Sequence, residues 1–257
     1  MVWCNSSSSC IVYHIVLWLS NNCFWSHNTY RRDMIYAYFH WHSFVEIQTD
    51  AWSILIDPYI TPASDISDYH HFDTKKIIAI VVTHGHADHV WDTIALAQHH
   101  ECIVIAPYGL AYWFATQWIS THNLGIGWTY TCDDYSVKLT HAIHDGSILD
   151  TGLYSQPAWV ILTIWSKRIY HAWDTALTLD MQLIKDIDLA FLPIWDYYTM
   201  WIDDAVIATW RIKPTTVVPM HYGHGKIDVD PMDFVQKVMY NKYAVPKILA
   251  PWQYIVL

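Results

Sequence analysis

The stretch "VVTHGHADHV" (residues 81–90) places His84, His86, Asp88 and His89 within six positions, directly after an apolar run. Neutral imidazole and carboxylate suit zinc, manganese or iron, and the lack of cysteine among them argues against a purely structural zinc site. Gly85 allows tight backbone turning between the first two. Three more candidates follow apolar runs: His144 ends "LTHAIH", Asp174 follows "IYHA" and His221 ends "VVPMH". Together these seven side chains are enough for two ions. His84, His86 and His144 can hold one, Asp88, His89 and His221 the other, and Asp174 can bridge them. Two such ions about 3.5–4 Å apart supply a metal-bridging hydroxide at neutral pH and take up charge on an oxyanion. The chemistry expected is therefore hydrolysis, with Asp88 also orienting or deprotonating the water. "HDGS" and "SSSS" lack the strand–turn–helix context of a nucleophile elbow.

Such a cluster needs rigid roots. The runs at 34–39, 43–48 and 53–57 read as short strands, and "KIIAIVVTH" (76–84) reads as a strand buried on both faces. Further strands are expected over 102–106, 135–144, 158–172 (a hairpin around Ser166-Lys167), 188–194, 215–221 and 247–250. Helical spacing marks 91–100, 109–119, 177–186 and 203–212, and Asp230-Pro231 caps a helix over 230–240. Strands that come first and then alternate with helices imply a sheet-rich α/β domain with helices outside.

Composition narrows the class. With 53% hydrophobic and 15% charged residues the chain is globular rather than disordered. A net charge of −10 without a Lys/Arg run disfavours nucleic acid as a partner. The five cysteines are odd in number and form no CxxC pair, which points to a reducing, cytoplasmic setting rather than a disulfide framework. The nine-residue apolar run "IVYHIVLWL" is too short to span a bilayer, so no membrane association is expected. Residues 1–33 read as a poorly defined N-terminal extension and 34–257 as one domain. A homo-oligomer is left open.

The segments "YFHWHSFVEI", "ILIDPYIT", "VTHGHADHVWDTIALA", "IYHAWDTAL", "DLAFLPIWDYYTM", "DDAVIATWRIKPTTVVPMHYG" and "DPMDFVQKV" run in order from about residue 34 to 250. In this the chain resembles the metallo-β-lactamase superfamily, whose signature is the His-x-His-x-Asp-His loop. More narrowly it is similar to uncharacterised metal-dependent hydrolases related to the ascorbate-6-phosphate lactonases. The resemblance implies an αββα sandwich, a four-layer fold with a dinuclear site at one edge between the sheets. It implies two divalent metal ions, zinc first with manganese or iron as alternatives, and no organic cofactor. The expected substrate is an ester, lactone or phosphodiester of a small molecule. The resemblance also adds His42 and Asp196 to Asp88 as catalytic or substrate-contacting positions. Two other readings are a catalytically impaired metal-binding member of the fold and a di-iron redox relative. The di-iron branch tends to place an acid where His86 stands, which ranks that reading last.

One departure stands out. Trp41, Trp91, Trp173, Trp195 and Trp201, with Trp159 and Trp252, occupy positions that are usually glycine in relatives, in a chain of 16 Trp and only 8 Gly. Wherever such a backbone has φ > 0, tryptophan costs about 1–2 kcal/mol in strain.

Overall fold

A computed structural model describes residues 34–60, 70–223 and 229–257. The extension expected over residues 1–33 lies outside the described residues. Strands β1 (Tyr36–Trp41), β2 (Phe44–Gln48), β3 (Ser53–Ile56), β4 (Ile77–Val81), β5 (Ile103–Pro107) and β6 (Thr121–Leu124) follow one another across a first sheet. A second sheet holds β7 (Thr129–Thr131), β8 (Tyr135–His141), β11 (Ala158–Ile164), β12 (Lys167–His171), β13 (Leu189–Pro193), β14 (Thr216–Met220) and β15 (Val245–Pro246). Between β8 and β11 lies a two-stranded ribbon, β9 (Ser147–Ile148) and β10 (Leu153–Tyr154), and β16 (Gln253–Val256) returns to pair with β1.

The apolar runs are strands because alternate residues serve different cores. In β11, Ala158, Val160, Leu162 and Ile164 join the core between the sheets, while Trp159 and Ile161 join the core under the second sheet's helices. In β4, Ala79 and Val81 point inward, and Ile77 and Ile80 point to the helices of the first sheet. Those helices are α1 (His70–Asp73), α3 (Thr93–His100) and α4 (Tyr108–Ala115), anchored by Phe72, Leu96, Leu110 and Phe114. On the far side, α5 (Ile202–Ile212) and α6 (Pro231–Asn241) bury Ala205, Ile212, Phe234 and Val238. The Asp230 carboxylate accepts the Met232 N–H at 2.8 Å with Pro231 beside it, the expected cap. The result is the αββα sandwich the sequence implied.

Three local expectations change. The helix expected over 177–186 is a short 3₁₀ turn (Leu179–Leu183), in which only Met181 is buried. No strand forms over 247–250, where Pro246 and Pro251 flank the segment and remove ladder donors; β15 and β16 lie on either side. β6 and β7 were not expected, because "THNL" and "TYT" carry little apolar alternation and are held by backbone pairing to β5 and β8. Cys102 is a buried free thiol. Among the described residues no helix is long and apolar enough to cross a membrane.

Strand direction prepares the site. β1 and β3 are both antiparallel to β2, and β3 is parallel to β4, so all three point the same way. Their C-terminal ends lead to His42, Asp57 and His84. In the second sheet β8 and β12 are both antiparallel to β11, and β12, β13 and β14 are parallel. Their ends lead to His144, Asp174 and His221.

Candidate metal centre

The loop after β4 carries His84 and His86 and then turns into α2 (Ala87–Val90), which bears Asp88 and His89. Gly85 is needed for space rather than for a turn. A Cβ there would lie 2.6 Å from both Ile148 Cα and the Ser147 carbonyl oxygen. The loop is thus pressed against the β9 ribbon, close to His144.

Two sets of side chains converge. His84, His86, His144 and Asp174 each offer an atom within 4.8 Å of the others, and so do His42, Asp88, His89 and His221. Asp174 contacts both sets: its oxygens lie 3.0 Å from His221 Nε2, 3.4 Å from His89 Nε2 and 3.6 Å from His144 Nε2. All seven side chains singled out as ligands are therefore brought together. His42, expected only beside the site, has its ring nitrogen within the second set and donates to Asp88 at 2.9 Å. Asp196 belongs to neither set; it is exposed on the turn after β13, with φ +75°.

Whether these residues suit a metal can be judged from their unmet valence. Asp174 is fully buried, and its Oδ1 has no hydrogen-bond partner although His221 Nε2 stands close by. His89 Nε2 is likewise buried and unpartnered. Buried polar atoms rarely stay unsatisfied. Imidazole nitrogens and carboxylate oxygens at this density fit divalent cations. Burial lowers the pKa of His84 and His144, which keeps both rings neutral, as ligation requires. Burial also opposes charge on Asp174 and Asp88, yet the imidazoles around them, His221 and His89 at Asp174 and His89 and His42 at Asp88, hold both carboxyls well below the usual range.

Sequence reasoning missed two supporting acids. Asp57, fully buried after β3, accepts from His89 Nδ1 at 3.0 Å and from the Thr83 N–H at 3.2 Å. Burial pushes its carboxyl up to about 8 against the pull of His89. Asp145 accepts from His86 Nε2 at 3.0 Å and is itself held by the Ser147 hydroxyl. Carboxylates of this kind fix the tautomer and aim of a ligating ring. Asp57 ends the strand run "SILID" and Asp145 follows His144, but neither spacing reveals a partner.

Of the seven tryptophans singled out, Trp173 and Trp252 have positive φ, +62° and +70°. Trp91 and Trp201 have ordinary φ of −52° and −72°. Trp41, Trp159 and Trp195 are not among the positive-φ residues. Trp195 lies 5.3 Å from the His221 ring, centroid to centroid, and stands beside the exposed Tyr197 and Tyr198.

A family model described as the β-lactamase superfamily domain matches residues 53–222. A UPF0173 metal-dependent hydrolase from Bacillus mycoides (strain KBAB4) is 43% identical over 216 residues, 80% of this chain and 93% of its own. Igni18, a metallo hydrolase from the hyperthermophilic archaeon Ignicoccus hospitalis KIN4/I, superposes with a TM-score of 0.80 at 29% identity, over 87% of this chain and 98% of that one. CmlA, a diiron β-hydroxylase from Streptomyces venezuelae, shares the fold alone. Its TM-score is 0.71 at 15% identity, over 90% of this chain and 55% of that one.

Proposed function

The chain belongs to the β-lactamase superfamily and is a metal-dependent hydrolase, and from that premise we propose that it cleaves an ester, lactone or phosphodiester of a small molecule at a pair of zinc ions. In this reading His84, His86 and His144 would hold one ion and Asp88, His89 and His221 the other, with Asp174 placed to serve either set. The observation that carries it is the position of Asp174, buried between the two sets with an oxygen that no hydrogen bond uses. Bound metals of this kind supply a water nucleophile at neutral pH and neutralise charge on the oxygen of the bond under attack.

The chain's own groups do the rest. Asp88 is about one-third exposed and stays ionised, so it can accept a hydrogen bond from a water and aim it. His42 donates to the other side of that relationship, fixing the Asp88 carboxylate at 2.9 Å. Asp57 holds His89, and Asp145 holds His86, each against rotation. Trp195 and the neighbouring tyrosines give the site an aromatic border suited to a small, partly apolar substrate. Five imidazoles against two carboxylates favour zinc, whereas carboxylate-rich ligation would suit iron and redox chemistry.

The test is elemental analysis of protein purified without added metal, followed by assays on a panel of esters, lactones and phosphodiesters. We expect about two equivalents of zinc per chain and hydrolysis that chelation abolishes and zinc restores. Metal content below one equivalent after reconstitution, or no hydrolysis of any class by the loaded protein, would overturn the proposal.

A further inference from the structure

Left-handed backbone belongs chiefly to glycine, because a Cβ there crowds the following carbonyl, and a bulky side chain in that region is an outlier. Among the described residues a positive φ is adopted by three glycines, Gly127, Gly152 and Gly223, and by thirteen other residues, of which four, more than of any other type, are tryptophans. The tryptophans are Trp118, Trp165, Trp173 and Trp252, with φ of +61°, +50°, +62° and +70°.

Each of the four fills a place that glycine ordinarily takes. Trp165 opens the two-residue loop between β11 and β12, flanked by the paired Ile164 and Lys167. Positive φ at the first loop residue and not at Ser166 is the type II′ hairpin, with glycine first. Trp252 is the third residue of a turn closed by the Gln253 N–H on the Ala250 carbonyl at 3.0 Å, with Pro251 second. Proline second and positive φ third make a type II turn, which calls for glycine at the third place. Trp118 ends the turn after α4, its N–H on the Ala115 carbonyl at 3.2 Å and its residue surface 94% exposed. Helices commonly stop there on a left-handed glycine. Trp173 precedes Asp174 and is fully buried. Its indole N–H has no hydrogen-bond partner, and its ring stands 4.3 Å from the His89 ring and 4.9 Å from the His84 ring. A buried indole normally finds an acceptor.

Composition points the same way. Glycine is 8 of 257 residues, about 3%, where about 7% is ordinary. We infer that positions 118, 165, 173 and 252 are glycine positions of this protein, read as glycine in the cell that makes it, and that tryptophan at 173 disturbs the metal centre. One cause serves all four: a codon that one genetic code assigns to tryptophan and another to glycine. The claim at 173 rests on the metal reading above. The claims at 118, 165 and 252 do not, so the two fail separately.

Two experiments decide it. Peptide mass spectrometry of the protein isolated from its own cells should find glycine at the four positions; tryptophan there would overturn the inference. In the recombinant chain, alanine and glycine variants are compared at each position, since both remove the indole and only alanine keeps the Cβ. The glycine variant should melt roughly 2–4 °C above the alanine variant at all four sites. At Trp210, inside α5, the order should reverse. Equal melting points, or alanine higher, at the four sites would overturn it. Trp173→Gly should also hold zinc more tightly than the Trp173 chain, as read by competition with a chelator. Unchanged affinity would remove the claim about the centre and leave the remote positions to stand or fall on melting alone.

Discussion

Two buried polar clusters draw on the first sheet, and they are completed in opposite ways. Glu46, on β2, has both oxygens fully used. Oε1 accepts from Ser53 Oγ at 2.8 Å and from Lys75 Nζ at 2.7 Å, and Oε2 from Lys75 Nζ and His40 Nε2, each at 2.9 Å. Burial works against its charge, yet His40 and Lys75 bring the carboxyl down to about 2. Asp174 is also buried, but its Oδ1 has no hydrogen-bond partner, with His221 Nε2 3.0 Å away. A carboxylate with both oxygens used needs nothing further, although His40 Nδ1 beside it is also buried without a partner. A carboxylate with a spare buried oxygen among imidazoles has the chemistry to take a cation.

The comparison can be broken by mutation. The largest effect is expected from Asp174→Ala or His84→Ala, which should take zinc from about two equivalents to below one. Elemental analysis reads this, and retention of both ions would erase the distinction between the clusters. Glu46→Ala should cost about 3–5 kcal/mol in urea denaturation, because His40 and Lys75 lose their counter-charge. Its zinc content should be unchanged. If zinc were lost instead, the two clusters would be one system.

Smaller effects sharpen the contrast. The Glu46 carboxyl is lowered from 4.5 to about 2 on folding, so its contribution is present above pH 4.5 and is lost as pH falls from there toward 2. A loss of about 3 kcal/mol over that interval, absent in Glu46→Gln, should appear in urea midpoints measured against pH. A flat profile would mean that the cluster contributes no net charge stabilisation. Smallest is Asp57→Asn, which should weaken zinc binding about 10–100-fold without loss of the fold, as read by competition with a chelator. Unaltered affinity would show that His89 needs no orienting acid.

Local pattern made much of this legible. The ligands of the β4 loop are adjacent in the chain, and apolar runs of strand length precede His144, Asp174 and His221, so type and spacing sufficed to single them out. The strands and helices around them followed from period and capping. Polar β6 and β7 did not, because backbone pairing alone holds them. Asp57 and Asp145 were invisible for a related reason: an acid that aims a histidine is defined by where a second segment arrives, not by its neighbours in sequence. Asp196, expected as a substrate-contacting position, stands exposed on the turn after β13 and belongs to neither set.

The sequence by itself determined the residue chemistry, most of the order of elements and a sheet-rich α/β domain with helices outside, because hydrophobic period and ligand type are local properties; the four-layer sandwich was implied by the family resemblance. Only the tertiary structure decided that His42 joins the second set, that Asp174 touches both, and that four tryptophans stand on left-handed backbone. Convergence and backbone handedness depend on how distant strands close the edge of the sandwich, and no residue carries that information alone.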